Sequence, residues 1–209
     1  MNKHTQQSFI NLLVSAINAN TRIGLQEAIA ANPNMKDVDG DVASYAAARG
    51  RSEMLEVVLP IVSDNGRLRA FYVAATYGQI QCAQMLLPVV AGHLDRSLKL
   101  AVEHQQVAMV EWLLNNGTYG DGLLQGMCQL YNRPHDREIF SLLYKHGGRT
   151  AVNSLVWAHT QMWGNQQQTL IQWADEEDAV AQNQHLTHAV NTNVGGTVHS
   201  APNRLARKI

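Results

Sequence analysis

Nine histidines and two cysteines are the side chains of this sequence most able to hold a metal or attack a substrate. His185 and His188 stand three apart, the spacing that sets two metal ligands on one helix face. No cluster of cysteine or carboxylate accompanies them, so no metal is expected. Asp37, Asp39 and Asp41 resemble half of a calcium loop, but its closing glutamate is absent and a solvated turn is expected instead. Cys82 and Cys128 lie beside leucine-rich stretches with nothing nearby to lower a thiol pKa, and should be buried and inert. Gly195-Gly196 follows no strand and opens no helix, unlike a phosphate loop. No serine–histidine–acid order can be read. The sequence therefore assigns no catalytic residue and no cofactor, and predicts a protein that is not an enzyme.

Composition narrows the partners. The 209 residues carry a net charge of −1, and charged residues make up 16%, low against the usual ~25%. That balance leaves no basic footprint for nucleic acid or an anionic membrane. Two unpaired-looking cysteines fit a reducing compartment. The opening residues lead into too short an apolar run for a secretory signal, and no stretch approaches 18 apolar residues. A cytoplasmic location is expected, or a host cell's cytoplasm for a protein delivered through a non-cleaved signal.

The elements that organise these residues repeat. Ala46-Ala47-Ala48-Arg49-Gly50 runs on to Val57-Val58-Leu59-Pro60, and Ala74-Ala75-Thr76-Tyr77-Gly78 runs on to Leu86-Leu87-Pro88. Each copy reads as a helix with small inward residues, a glycine stop, and a second helix with larger aliphatics. Weaker copies follow at Ala101-Val102, where Gln105 replaces the glycine, and at Ile139 to Gly147. Taking Leu59, Leu87, Leu114, Leu143 and Ile171 as markers, the intervals are 28, 27, 29 and 28 residues. A period in this range marks a repeat array.

Leu12, Leu13, Ala16 and Ile17, then Leu25, Ala28 and Ile29, predict an opening helix pair within residues 8–31, ended by Pro33. At the other end Trp157, Trp163 and Trp173 suit a unit that covers an open core, and Asp175 to Asp178 reads as a solvated acidic turn. The expected domain is thus 1–178, about six helix pairs, followed by a polar tail over 179–209 that is extended or disordered. The fold class is all-α: a solenoid of stacked helix-turn-helix repeats with shortened loops.

These residues resemble ankyrin repeats. Ala46-Ala47-x-x-Gly50 with Glu53 and Val57-Val58-Leu59 carries the family's pattern, as does Ala74-Ala75-x-x-Gly78 with Leu86-Leu87, while Val110 to Gly117 and Glu138 to Gly147 match its second half. The resemblance spans about residues 10–175. The chain departs from the family in period, about 28 residues against ~33, and in lacking the threonine–proline turn. The missing residues fall where ankyrin repeats place a hairpin finger.

What the resemblance implies is a binding module that holds a protein or peptide on a concave face. Its contact positions, carried over where the motif matches, are Tyr45, Ala48 and Arg49, then Thr76 and Tyr77, then Glu103 and His104. Tyrosine and arginine are the residue types that dominate interface energetics; packing of Tyr45 or Tyr77 against a neighbouring helix pair is the competing role. The expected protein is a monomer that binds neither nucleic acid nor membrane. A second reading makes it a translocated bacterial effector, its basic-ended tail (Arg204, Arg207, Lys208) serving as export signal or as an arm that occupies the groove.

Overall fold

The computed structural model describes residues 3–37, 40–119, 126–130, 133–158 and 164–195. Among them the regular structure is helical, and a lone parallel bridge between Asp37 and Val62 is the sole trace of strand pairing. The helices are α1 (Lys3–Asn18), α2 (Arg22–Ala30), α3 (Asp41–Ala48), α4 (Ser52–Val58), α5 (Asp64–Thr76), α6 (Ile80–Val90), α7 (Leu94–Glu103), α8 (Val107–Asn116), α9 (Asp136–Ala158) and α10 (Gly164–Gly195). They pair in chain order, α1 with α2 through α7 with α8. The first helices of successive pairs also pack on one another, α1 on α3, α3 on α5 and α5 on α7, while α2 packs on α4 and α4 on α6.

The first helices meet one another through buried alanines. Ala43, Ala46 and Ala47 of α3, Ala70, Ala74 and Ala75 of α5, and Ala101 of α7 are all 0% exposed. Small side chains let neighbouring first helices approach closely, where a larger residue would overpack. Larger buried side chains come from both rows: Phe71 and Leu98 from first helices, and Met54, Leu55, Val58, Leu86, Met109, Val110 and Leu113 from second helices. Each fully buried aliphatic of this kind contributes about 1.5–3 kcal/mol.

The helix stops behave as their residues dictate. Gly50 and Gly78 adopt φ of 66° and 69°, the left-handed region that ends a helix. Gln105, in the glycine's place, is held at φ 57°, and Asn20 ends α1 at 54°. Absence of a Cβ also serves packing: a Cβ on Gly50 would run into Gln79 Oε1 of the next pair, and one on Gly78 into Gln106 Oε1.

Several expectations need correcting. Leu12 is 50% exposed; the buried stripe of α1 is Phe9, Leu13 and Ile17, spaced by four. Helix α1 also starts at Lys3, ahead of the expected boundary. Ile171 is exposed, and Leu170, Trp173 and Ala174 face the core. Of the last three markers, Leu114 and Leu143 are buried, so only the one at Ile171 shifts to a buried neighbour. Pro60 and Pro88 share a repeat position but differ in outcome: α4 ends at Val58 before a 3-10 turn holding Pro60, whereas Pro88 lies inside α6.

The acidic run is not a turn, and the tail does not begin as an irregular chain. Asp175 to Asp178 lie within α10, which continues through residue 195. Its first half is docked and supplies the costly nucleus; each further residue then adds a helix hydrogen bond at little cost. Residues 181–188 are exposed along the whole circumference, as their lack of apolar period requires. The basic cluster Arg204, Arg207 and Lys208, assigned as signal or arm, lies outside the described residues, as do Trp163 and the side chain of Trp157.

Candidate functional site

The residues singled out on the first helices fall at one recurring place. Arg49, Tyr77 and His104 are the positions immediately before Gly50, Gly78 and Gln105, the three left-handed stops. All three are exposed. A residue there ends its helix, and the chain reverses at the next position to start the second row. No hydrogen bond, ion pair or ring contact joins the three among the described residues; they stand in register on successive helix pairs.

Around them the face is partly prearranged. Tyr45 is half-buried, its hydroxyl 2.5 Å from Asn18 Oδ1 of α1, and the Arg49 guanidinium carbon sits 5.0 Å from the centroid of its ring. Tyr45 therefore takes the packing role against its neighbouring helix pair, while its ring supports the exposed Arg49. Tyr77 is 56% exposed and serves no packing role of that kind. Thr76 turns its hydroxyl back to the Tyr72 carbonyl at 2.9 Å, which satisfies the donor locally. Glu103 is exposed, and its carbonyl accepts from Arg133 Nη1 at 2.6 Å.

Four further residues share this face and were not singled out by the motif. Arg69 of α5 bridges to Asp41 of α3 at 2.9 Å, and Arg96 of α7 lies 4.7 Å from the ring centroid of Tyr72 on α5. The signal for them was in the chain: Tyr72 precedes Thr76 by one helical turn, and Asp41, Arg69 and Arg96 follow one another at 28 and 27 residues, the intervals of the core. A motif matched only at its helix end does not reach the turns before it.

The candidate chemical groups are otherwise engaged. Asp37 is 1% exposed, and its Oδ2 accepts the amides of Val42 and Ala43 at 3.0 and 3.1 Å. The expected solvated turn is thus, at Asp37, a buried cap, because the free amides at a helix start recruit a carboxylate. Burial raises its pKa while those hydrogen bonds work the other way. Asp39 lies outside the described residues. Burial pushes the Cys82 thiol up to about 11 and raises that of Cys128 as well. His185 and His188 lie on the exposed part of α10, and no group of three or more histidine, cysteine or carboxylate side chains that could hold a metal occurs among the described residues.

A second polar centre secures the array. Asp136, 0% exposed, accepts from the Arg133 backbone amide at 2.8 Å and from its guanidinium at 3.0 Å. The same guanidinium donates to the carbonyls of Val102, Glu103 and Gln129, and Gln105 Nε2 donates to Asp136. This arrangement binds the open carbonyl end of α7, and it explains how Gln105 is held at a position that favours glycine.

Among the described residues no helix is long and apolar enough to cross a membrane. Comparison with known proteins finds no matching family model, no matching curated relative and no matching solved structure.

Proposed function

We propose that this chain is a non-enzymatic binding module, a short-period solenoid of ankyrin-like repeats that holds a protein or peptide partner across the outer face of its first helices. The observation that carries the reading is the exposed, in-register series Arg49, Tyr77 and His104, each one residue before a left-handed stop. Support for the ankyrin-like assignment comes from buried alanine pairs at the motif positions and from positive φ at the motif glycines. Two rows of helices leave the first-row face as a continuous surface on which aromatic and guanidinium groups gather, the composition favoured in interface hot spots. Asp37 Oδ2 and the Asp136 carboxylate are engaged at helix starts.

Converting Tyr45, Arg49 and Tyr77 together to Ala tests this. The triple variant should keep its helical circular dichroism and lose a partner that the wild-type chain retains on an affinity column. Retention at full strength by the folded variant would remove this face from consideration.

A further inference from the structure

Charge is divided unequally between the two rows. The exposed second-row side carries Glu27, Glu53, Glu56 and Glu111 against Arg22 and Arg51. On the first-row face Arg49, Arg69, Arg96 and Lys99 stand against Asp41 and Glu103. The Arg69–Asp41 ion pair at 2.9 Å neutralises one of each. Of the acids at the starts of these helices, Asp64 lies 3.8 Å from Arg67, and Asp95 adds one negative charge to the first row.

Arg49 and Arg96 are the groups that this division leaves available. Among the described residues neither has a carboxylate partner, and each guanidinium is instead held near a tyrosine ring, at 5.0 and 4.7 Å from its centroid. An aromatic ring fixes the plane of a guanidinium while leaving its N–H edge open. That edge matches a carboxylate through two parallel hydrogen bonds. Two such edges stand on α3 and α7, separated by one intervening helix.

Resting on the binding-face reading above, we propose that the ligand is an extended, carboxylate-rich peptide segment of a partner protein, laid across α3, α5 and α7 with one acidic side chain on Arg49 and another on Arg96. Neighbouring helix axes are about 8–10 Å apart, and an extended chain advances about 3.3 Å per residue. Arg49 closes α3 whereas Arg96 lies near the start of α7, an offset of about 12 Å along the helix axes. Combined with two interhelical spacings, this separates the two acids by about six to seven residues. The chain's own C-terminal segment is a poor occupant, since Arg204, Arg207 and Lys208 would bring like charge to Arg49 and Arg96. Two arginines already turned toward the ligand lose less freedom on binding, which strengthens the complex without added area.

The experiment is selection of displayed random 12-residue peptides on the full chain, followed by fluorescence anisotropy with the selected peptides. Selected sequences should be rich in Asp and Glu with two acidic positions about six to seven apart. Arg49→Gln or Arg96→Gln should weaken binding about tenfold each at unchanged thermal stability, and added salt should weaken it further. Selected peptides without acidic enrichment that nonetheless fail on the Tyr45/Arg49/Tyr77 triple variant would overturn the acidic ligand and leave the binding face standing. Peptides that bind every variant as they bind the wild type would overturn both. Enrichment of no peptide would overturn the peptide ligand, as would self-association in sedimentation that Glu53→Gln/Glu56→Gln abolishes, because the second row of another copy would then be the occupant.

Discussion

Arg137 and Glu177 meet at 2.6 Å across the last helix pair, although 40 residues separate them in the chain. Ser141 donates to the same Glu177 oxygen at 2.6 Å, Tyr144 donates to Asp178 at 2.6 Å, and Arg149 reaches Asp175 at 2.7 Å. Beneath this polar seam the Phe140 ring lies 5.5 Å from Tyr144 and 5.4 Å from Trp173. The acidic run is thereby turned toward α9 and closes the array by charge as well as by aromatic burial.

Cutting the seam should loosen α10 selectively. Arg137→Ala is expected to lower stability in urea by about 1–2 kcal/mol, the scale of charge-assisted hydrogen bonds discounted for partial exposure. Glu177→Gln should cost less, and the double variant should cost less than the sum of the singles. Additive losses would show that the two side chains do not act together.

Acid should undo the same contact. Burial opposes the charge on Glu177, but the hydrogen bonds from Ser141 and Arg137 outweigh it and hold the carboxyl below its ordinary value. A depressed folded pKa stabilises above the unfolded value and loses that stabilisation as pH falls through the folded one. The stability gap between wild type and Glu177→Gln should therefore be full near neutrality and close below the ordinary carboxylate range. Urea titrations of both chains across that interval measure it.

Stops that need a positive φ make a second test. Gly78→Ala should destabilise by about 1–2 kcal/mol, from the left-handed backbone and from displacement of Gln106. Gln105→Gly should relieve the same backbone strain but give up the bond to Asp136 at 3.3 Å, leaving a net change of less than about 1 kcal/mol. Thermal unfolding of the two variants side by side gives the comparison.

Removal of Arg133 is predicted to be the most damaging polar substitution. Arg133→Ala leaves the Asp136 carboxylate, 0% exposed, without its guanidinium, and should cost about 3–5 kcal/mol. Asp136→Asn keeps the site neutral and should cost clearly less. If urea unfolding ranks the two in the opposite order, the guanidinium is not what holds that carboxylate.

How far the sequence reaches is visible in individual residues. The alanine pairs, the glycine stops and the placing of Arg49, Tyr77 and His104 at successive helix ends followed from short-range pattern, since a helix period and a left-handed stop are set by neighbours within a few positions. Burial of Asp37, by contrast, depends on a helix start six residues on, and Arg133 reaches carbonyls 30 and 31 residues back. The sequence by itself determined an all-helical chain, its paired helices and the register of its middle pairs, because each is encoded by local spacing. Only tertiary structure decided which acids are clasped and which cations stay open. Asp175 and Arg49 both read as exposed charge in the chain, yet one meets Arg149 and the other a tyrosine ring. That difference comes from which helix lies alongside, and spacing within a single helix does not carry it.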